Sequence, residues 1–163
     1  MRSDHGFTMI EMLVVMALIG ILSAIAIPTL MTGTARNSVW TASEQIGSQI
    51  RQARLKAISR NRSFRVRFDC PAVGQYRVLV VTGDATIDGA ADRCDDTQEF
   101  DSGVYAMPSN VTYTDPPPLL EVNPRGIFTS TGGIPTTITV THGDGSSRSL
   151  NMSATGQIAF DVF

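Results

Sequence analysis

A single carboxylate stands at the mouth of a long apolar run. Glu11 precedes residues 12–35, which carry no charged side chain, and residues 12–30 are almost wholly apolar. A run of roughly 20 apolar residues is long enough to cross a bilayer as a helix. A carboxylate at the head of such a helix is costly to bury unless something pairs with it. The simplest partner is a positive charge on the end of a neighbouring chain. Glu11 also falls in the first turn of the expected helix, where a negative charge suits the helix dipole. The chemistry on offer is charge pairing at an apolar boundary, not the making and breaking of bonds.

The remaining reactive residues are few. Cys70 and Cys94 both lie outside the apolar run. If that part of the chain is exported, it meets an oxidising compartment and the two can pair. The loop between them is long enough for a bridge to contribute about 3 kcal/mol in the chain-entropy picture. The alternative is two unrelated buried thiols. His5 and His142 sit in no metal-ligand spacing with Cys, Asp or Glu. No nucleophile elbow, Walker or dinucleotide pattern occurs. The acids of residues 84–101 could attract a hard cation, but their spacing matches no EF-hand loop, so a solvated loop is expected. No catalytic residue, metal or cofactor is therefore expected.

One basic run stands out: Arg51, Arg54, Lys56, Arg60, Arg62, Arg65 and Arg67, with no acid among them. Such a run can hold nucleic-acid phosphates, which makes Arg60, Arg62, Arg65 and Arg67 candidate DNA contacts. Anionic lipid, acidic neighbours or water serve the same side chains. The net charge of −2 implies no strong polyelectrolyte partner. The acidic stretch in the same chain favours charge pairing within or between subunits.

The residues ahead of the apolar run carry a more specific signal. Gly6-Phe7-Thr8-Met9-Ile10-Glu11 resembles the class III signal of type IV pilins and pseudopilins. The resemblance implies a leader of residues 1–6, peptidase cleavage between Gly6 and Phe7, and N-methylation of Phe7. It also implies that Glu11 guides the subunit into a filament. Cleavage would expose an ammonium on Phe7, one helical turn from the Glu11 carboxylate on the same chain or facing it from the next. In lipid that attraction is stronger than at a surface, because the dielectric is low. Two plainer readings compete. Ser23-Ala24-Ile25-Ala26 offers a small-x-small site that would end an ordinary secretory signal at Ala26, but Glu11 and the weakly basic start disagree with one. An unprocessed anchor explains the hydrophobicity, yet neither Gly6-Phe7 nor Glu11.

At 163 residues the chain suggests one domain plus an anchor. The helix should continue beyond the apolar run, with a kink or loosened turn at Pro28 and a weak point at Gly33. Val39, Ile46, Ile50, Ala53 and Ala57 then recur at helical spacing, which predicts an outer half lying against a core. Trp40 and Ile58 flank that stripe, and the helix should end near Asn61. Phe64, Val66 and Phe68 alternate with arginines and predict a strand, with residues 76–81 as its partner across a turn near Pro71 and Gly74. Residues 83–96 read as a loop. Later strands are predicted near 111–113, 119–122, 136–141, 148–152 and 157–160. The Asp144-Gly145 pair signals a hairpin between two of them. Pro116-Pro117-Pro118 predicts a stiff connector.

Two further stretches are similar to the GspH/FimT group of minor pilins and pseudopilins. One is Gln52-Ala53-Arg54-Leu55-Lys56-Ala57-Ile58-Ser59-Arg60-Asn61-Arg62. The other is Val122-Asn123-Pro124-Arg125-Gly126, followed by Gly132-Gly133 and then Ser153-Ala154-Thr155-Gly156-Gln157-Ile158. Some members of that group resemble DNA-uptake proteins with a Gly-Arg-x-Arg pattern. Gly156-Gln157-Ile158-Ala159 occupies that place here, so both arginines are missing.

The expected fold is α+β, a long helix on a head of packed antiparallel sheets. It would comprise a leader (residues 1–6), a transmembrane and filament-core helix (7–30), an amphipathic helix (31–62) and a β-rich periplasmic head (63–163). The expected function is that of a structural minor subunit that primes or caps a type IV pilus-like filament. The alternatives are a minor pseudopilin of a type II secretion system and a DNA-binding minor pilin. The resemblance implies an inner-membrane protein whose partners are other pilin-like subunits, the prepilin peptidase, the assembly platform and membrane lipid.

Overall fold

The computed structural model describes residues 8–90, 92–95, 97–113 and 118–161, and for residues 27–32 the backbone alone. The architecture is α+β, and the chain divides into two compact units, Met1–Ala35 and Arg36–Phe163. Helix α1 (Met9–Arg60) contributes to both. Its assignment is continuous through Pro28 and Gly33, and the expected kink rests on a side chain outside the described residues. Within the first unit, Met9–Ala26 is long and apolar enough to cross a membrane, and none of it is buried.

The second unit starts where the helix becomes one-sided. Val39, Ala42, Ile46, Ile50, Ala53 and Ala57 are all buried, so the predicted stripe is the core face of α1. Ser43 joins it, its hydroxyl donating to the Val39 carbonyl of the preceding turn. The helix stops at Arg60 because Asn61 takes a left-handed backbone, φ 52°. Arg62 N then donates to Ala57 O at 3.2 Å and Asn61 N to Ile58 O at 3.4 Å. These two bonds satisfy carbonyls that the helix end leaves open.

Two antiparallel sheets complete the head. The first has the strand order β3-β2-β1-β5-β6. It comprises β1 (Phe64–Phe68), β2 (Gln75–Val80), β3 (Tyr105–Ala106), β5 (Leu120–Val122) and β6 (Phe128–Ser130). The second has the order β4-β7-β8-β9. It comprises β4 (Val111–Tyr113), β7 (Thr136–His142), β8 (Ser147–Met152) and β9 (Ile158–Phe160). Phe64, Val66 and Phe68 face inward as their alternation predicts. They share one core with the α1 stripe and with Ile138, Val140, Leu150 and Met152 of the second sheet. The β7–β8 hairpin turns through Gly145, whose φ of 94° is strained for any residue with a Cβ. Tyr113 of the second sheet reaches the turn after β1 and donates to the Asp69 carboxylate at 2.7 Å. Burial, then the Asp69 carboxylate, pushes the Tyr113 phenol far above its usual range, which keeps it neutral.

The sequence reading missed β3 and β6, which have two and three residues. It also missed α2 (Ala85–Asp88), a single capped turn inside the expected loop. The predicted connector at Pro116-Pro117-Pro118 lies largely outside the described residues.

Candidate functional site

Three groups of residues could carry function: the head of the apolar helix, the loop spanning residues 83–104, and the basic run. Each begins from a local feature of the sequence.

At the head of α1, Thr8-Met9-Ile10-Glu11 closes on itself. Glu11 N donates to Thr8 Oγ1 at 3.3 Å, and Thr8 N donates to Glu11 Oε2 at 3.4 Å. This is a capping box, in which two amides that the helix start leaves open are satisfied reciprocally. The Thr-x-x-Glu spacing was its signal, and the sequence reading used only the charge of Glu11. The residue is exposed, and its carboxylate fixes the helix start through one oxygen. The other oxygen has lone pairs for a cation. Gly6 and Phe7, the expected cleavage pair, lie outside the described residues.

The acidic loop is a built structure. Cys70 and Cys94 form a disulfide with a Cα–Cα distance of 5.2 Å, as compartment chemistry predicts. Beside it lies a buried ion pair, absent from the sequence reading. Arg93 Nη1 donates to Asp101 Oδ2 at 2.7 Å and Arg93 Nη2 to Asp101 Oδ1 at 3.0 Å. Their side chains are only 2% and 0% exposed, so water screens neither charge. Asp101 also accepts from Val80 N at 2.7 Å and Gln98 N at 2.9 Å. Burial pushes the Asp101 carboxyl up, but the Arg93 guanidinium and the two amides outweigh it and hold the group below the usual carboxylate range. Arg77 is buried as well, donating to the carbonyls of Ser102 and Cys94. Residues 84–101 are thus not a wholly solvated loop: four of the acids, Asp84, Asp92, Asp95 and Glu99, are exposed, while Asp101 is an internal anchor.

The basic run does not form one free patch. Arg65 is paired with Glu121 at 3.1 Å and donates to the Asp88 carbonyl at 3.2 Å. Arg60 and Arg62 lie over the Phe100 ring, 4.9 Å and 5.9 Å from its centroid. Arg54 Nε donates to Gly126 O at 3.1 Å and locks the helix end to the β5–β6 turn. Arg67 is half-buried in β1, and Arg51 is exposed beside an open groove of about 610 Å³ that includes Gly156 and Gln157. Gly156 has φ 73°, and a Cβ there would stand 2.7 Å from the Phe128 ring. His142 Nδ1 lies 3.1 Å from the Asp144 carboxylate within its own hairpin. The Asp144 carboxyl is held below its usual range, first by Ser146 N and then by His142. Among the described residues, no three His, Cys, Asp or Glu side chains converge as metal ligands would.

Comparison with known proteins agrees with this geometry. Residues 1–27 match the prokaryotic N-terminal methylation motif, and residues 42–156 match the family described as type II transport protein GspH. A fimbrial protein of Pseudomonas aeruginosa is 46% identical over 48 residues, 29% of this chain and 31% of its own length. The chain thus spans about a third of the curated relatives it matches. Two solved structures share the fold. The type IV minor pilin FimU of Pseudomonas aeruginosa has a TM-score of 0.51 at 17% identity, over 79% of this chain and 92% of that one. The minor pseudopilin EpsH of the Vibrio cholerae type 2 secretion system has a TM-score of 0.53 at 13% identity, over 77% and 97%.

Proposed function

The chain belongs to the GspH family of pilin-like proteins, and on that premise we propose that it is a processed, membrane-anchored minor subunit of a type IV pilus-like filament. The observation that carries the reading is the head of α1. A capping box fixes Glu11 at the start of an exposed apolar helix, inside a matched methylation motif. Cleavage between Gly6 and Phe7 leaves an ammonium on Phe7 next to that carboxylate. Apolar side chains at residues 9–26 pack against lipid first and against neighbouring subunits afterwards. The Phe7 ammonium of one chain and Glu11 of the next set the axial register, because a mispaired Glu11 is left as an uncompensated charge in an apolar surround. The head stays on the periplasmic side of the inner membrane and supplies the filament's surface. Prepilin peptidase and an inner-membrane assembly platform are the other partners.

Intact-mass measurement of the protein from membranes, with N-terminal peptide mapping, tests this directly. The expected chain starts at N-methylated Phe7. A chain starting at Ile27 would make the protein a soluble exported domain and end the proposal. Glu11→Leu should leave membrane insertion intact and reduce incorporation into filaments. Normal incorporation of that variant would remove the role given to Glu11.

A second reading rests on the likeness to EpsH, whose name places it in a type 2 secretion system. The two likenesses are equal in quality, so the fold favours neither reading. Deletion of the gene separates them: loss of pilus-dependent behaviour supports the first, and retention of normally secreted proteins in the periplasm supports the second. A DNA-binding role keeps less of its basis, since Arg65 is already paired and both arginines of the uptake pattern are missing.

A further inference from the structure

The two sheets end in the strands β3, β6, β4 and β9, and the first three are very short or closed in part along their outward edges. In β6, Phe128 N donates to Ala154 O at 2.8 Å, and Ser130 O accepts from Gly133 N at 3.1 Å. In β4, Val111 N donates to Pro108 O at 3.2 Å. Strand β3 has only two residues. The edge of β9 is different. Ser153 N donates to Gln157 O and Asp161 N to Ser149 O, both at 3.0 Å, and Asn151 stands opposite Ala159 between them. In an antiparallel ladder the bonded pairs fall at every second residue. The backbone N–H and C=O groups of Ile158 and Phe160 therefore point away from β8, and among the described residues nothing bonds to them. Both residues are half-buried, and Ile158-Ala159-Phe160 carries no charge or proline that would keep a further strand away.

Beside this edge runs the open groove of about 610 Å³. Gly47 lets β9 lie close against α1: a Cβ there would come within 3.2 Å of the Phe160 ring and 3.5 Å of Ile158. One turn further along α1, the exposed Arg51 lines the groove, and no acid does. Another turn on, on the same helix face, Leu55 is 66% exposed. A strand added to β9 would lie about 4.8 Å beyond it, beside this part of α1. The edge thus offers ladder groups, an apolar side chain and one positive charge together.

We propose that β9 receives a further strand from a different pilin-like subunit. The donor is an extended segment that bonds to the backbone of Ile158 and Phe160, turns alternate apolar side chains toward Leu55, and carries an acid for Arg51. Unpaired ladder groups are satisfied by another backbone, so the occupant is a strand and not a helix or a lipid. Two copies of this chain joined edge to edge would close on each other as a pair. A minor subunit in a filament instead meets chains unlike itself, so the donor is another subunit. The inference deepens the filament reading and rests on it.

The test uses the full chain in membranes of its native host, where the other subunits are made. The photo-activatable residue benzoyl-phenylalanine replaces Ala159, which is exposed on β9. Illumination should join the chain to a protein that carries its own N-terminal methylation motif. The adduct should map to a segment of that protein with alternating apolar residues and an acid. Ile158→Pro removes an outward N–H that the free head does not use, a position where an edge strand tolerates proline. It should cut the yield about tenfold or more, while Ile158→Val, which keeps the N–H, should stay within about twofold. Arg51→Glu sets acid against acid and should also cut the yield about tenfold. That variant decides the matter if the proline variant misfolds. Thiol alkylation of each variant checks that Cys70 and Cys94 remain bridged, so that a misfolded head is recognised. Full yield from a bridged Ile158→Pro or Arg51→Glu chain would overturn the proposal. So would an adduct within one chain, with a second copy or with a protein lacking the motif, or no adduct at all. The N-terminal peptide in the same sample reports the processing state. Methylated Phe7 without the adduct means that this contact fails while the filament reading stands.

Discussion

Between Met9 and Ala26, large apolar side chains such as Ile10, Leu18, Leu22 and Ile25 are all exposed, whereas in Arg36–Phe163 the apolar side chains of α1 and both sheets close on one another. The two stretches of helix differ in composition as well: the first is almost wholly apolar, the second apolar on one face and basic on the other. The first satisfies its backbone internally and leaves its side chains for lipid or neighbouring helices. The second presents one face to sheets encoded later in the same chain. The contrast extends to charge. Glu11 is exposed at an apolar boundary, while Asp101 is sealed inside the head with a guanidinium and two amides. A pilin-like subunit needs both arrangements: a stem completed by other molecules and a head complete in itself.

The sharpest way to break this contrast is to open the head's own charge pair. Asp101→Ala takes from the buried Arg93 the carboxylate it holds through two hydrogen bonds and should cost about 3–5 kcal/mol. Urea unfolding of the full chain in micelles, followed by Trp40 fluorescence, measures it, and membrane retention should be unchanged. A loss of about 1 kcal/mol or less, as for an exposed pair, would contradict the burial. Arg93→Met with Asp101→Leu should recover much of the stability, because both charges of the pair are then gone. The pair also carries a pH dependence. The Asp101 carboxyl titrates lower in the folded head than in the unfolded chain. Its contribution is therefore complete above the unfolded value, about 3.9, and is lost as the pH falls from there through the folded value. Asp101→Ala should lack that part of the acid sensitivity.

Next in size is the disulfide. Cys70 and Cys94 are 24 residues apart, and removing the bridge with Cys70→Ser and Cys94→Ser together should cost about 3 kcal/mol. The same unfolding measurement reads it. The apolar stretch Met9–Ala26 contains neither cysteine, so its insertion should not respond.

Periodicity made much of this legible. The stripe from Val39 to Ala57 and the alternation of Phe64, Val66 and Phe68 are repeats long enough to fix a face. Strands β3 and β6 are too short to show a period: β3 adds two residues to the edge of β2, and β6 pairs with β5, which has three residues like itself. The buried Arg77, Arg93 and Asp101 were hidden for another reason. Charged residues in an Ala-, Gly- and Asp-rich stretch read as solvated, and nothing local says that a disulfide will fold that stretch back. One clue lay in β2. Tyr76, Val78 and Val80 face the core, which sends Arg77 and Leu79 to the outer face, and an apolar Leu79 there called for a cover. Leu79 indeed clusters with Cys70 and Cys94 beneath the loop. At the head of α1, Thr8 and Glu11 were legible as a pair, but charge drew attention to only one of them.

The smallest effect separates what Glu11 does locally from what it does between chains. Thr8→Ala removes the hydroxyl that accepts from Glu11 N and should loosen the first turn by about 1 kcal/mol. Amide exchange over residues 9–12 in micelles should rise about fivefold, with the head's unfolding midpoint unchanged. Glu11→Gln keeps an oxygen for Thr8 N, so the capping box survives without its charge. Exchange over the first turn should then stay near that of the unaltered chain, while incorporation into filaments falls. Opposite patterns in the two variants would mean that the carboxylate is needed as a charge for the neighbouring chain, beyond its part in starting the helix. If Glu11→Gln assembles normally and Thr8→Ala does not, the helix start itself is what assembly recognises, and the ammonium–carboxylate pairing has no part in holding the filament.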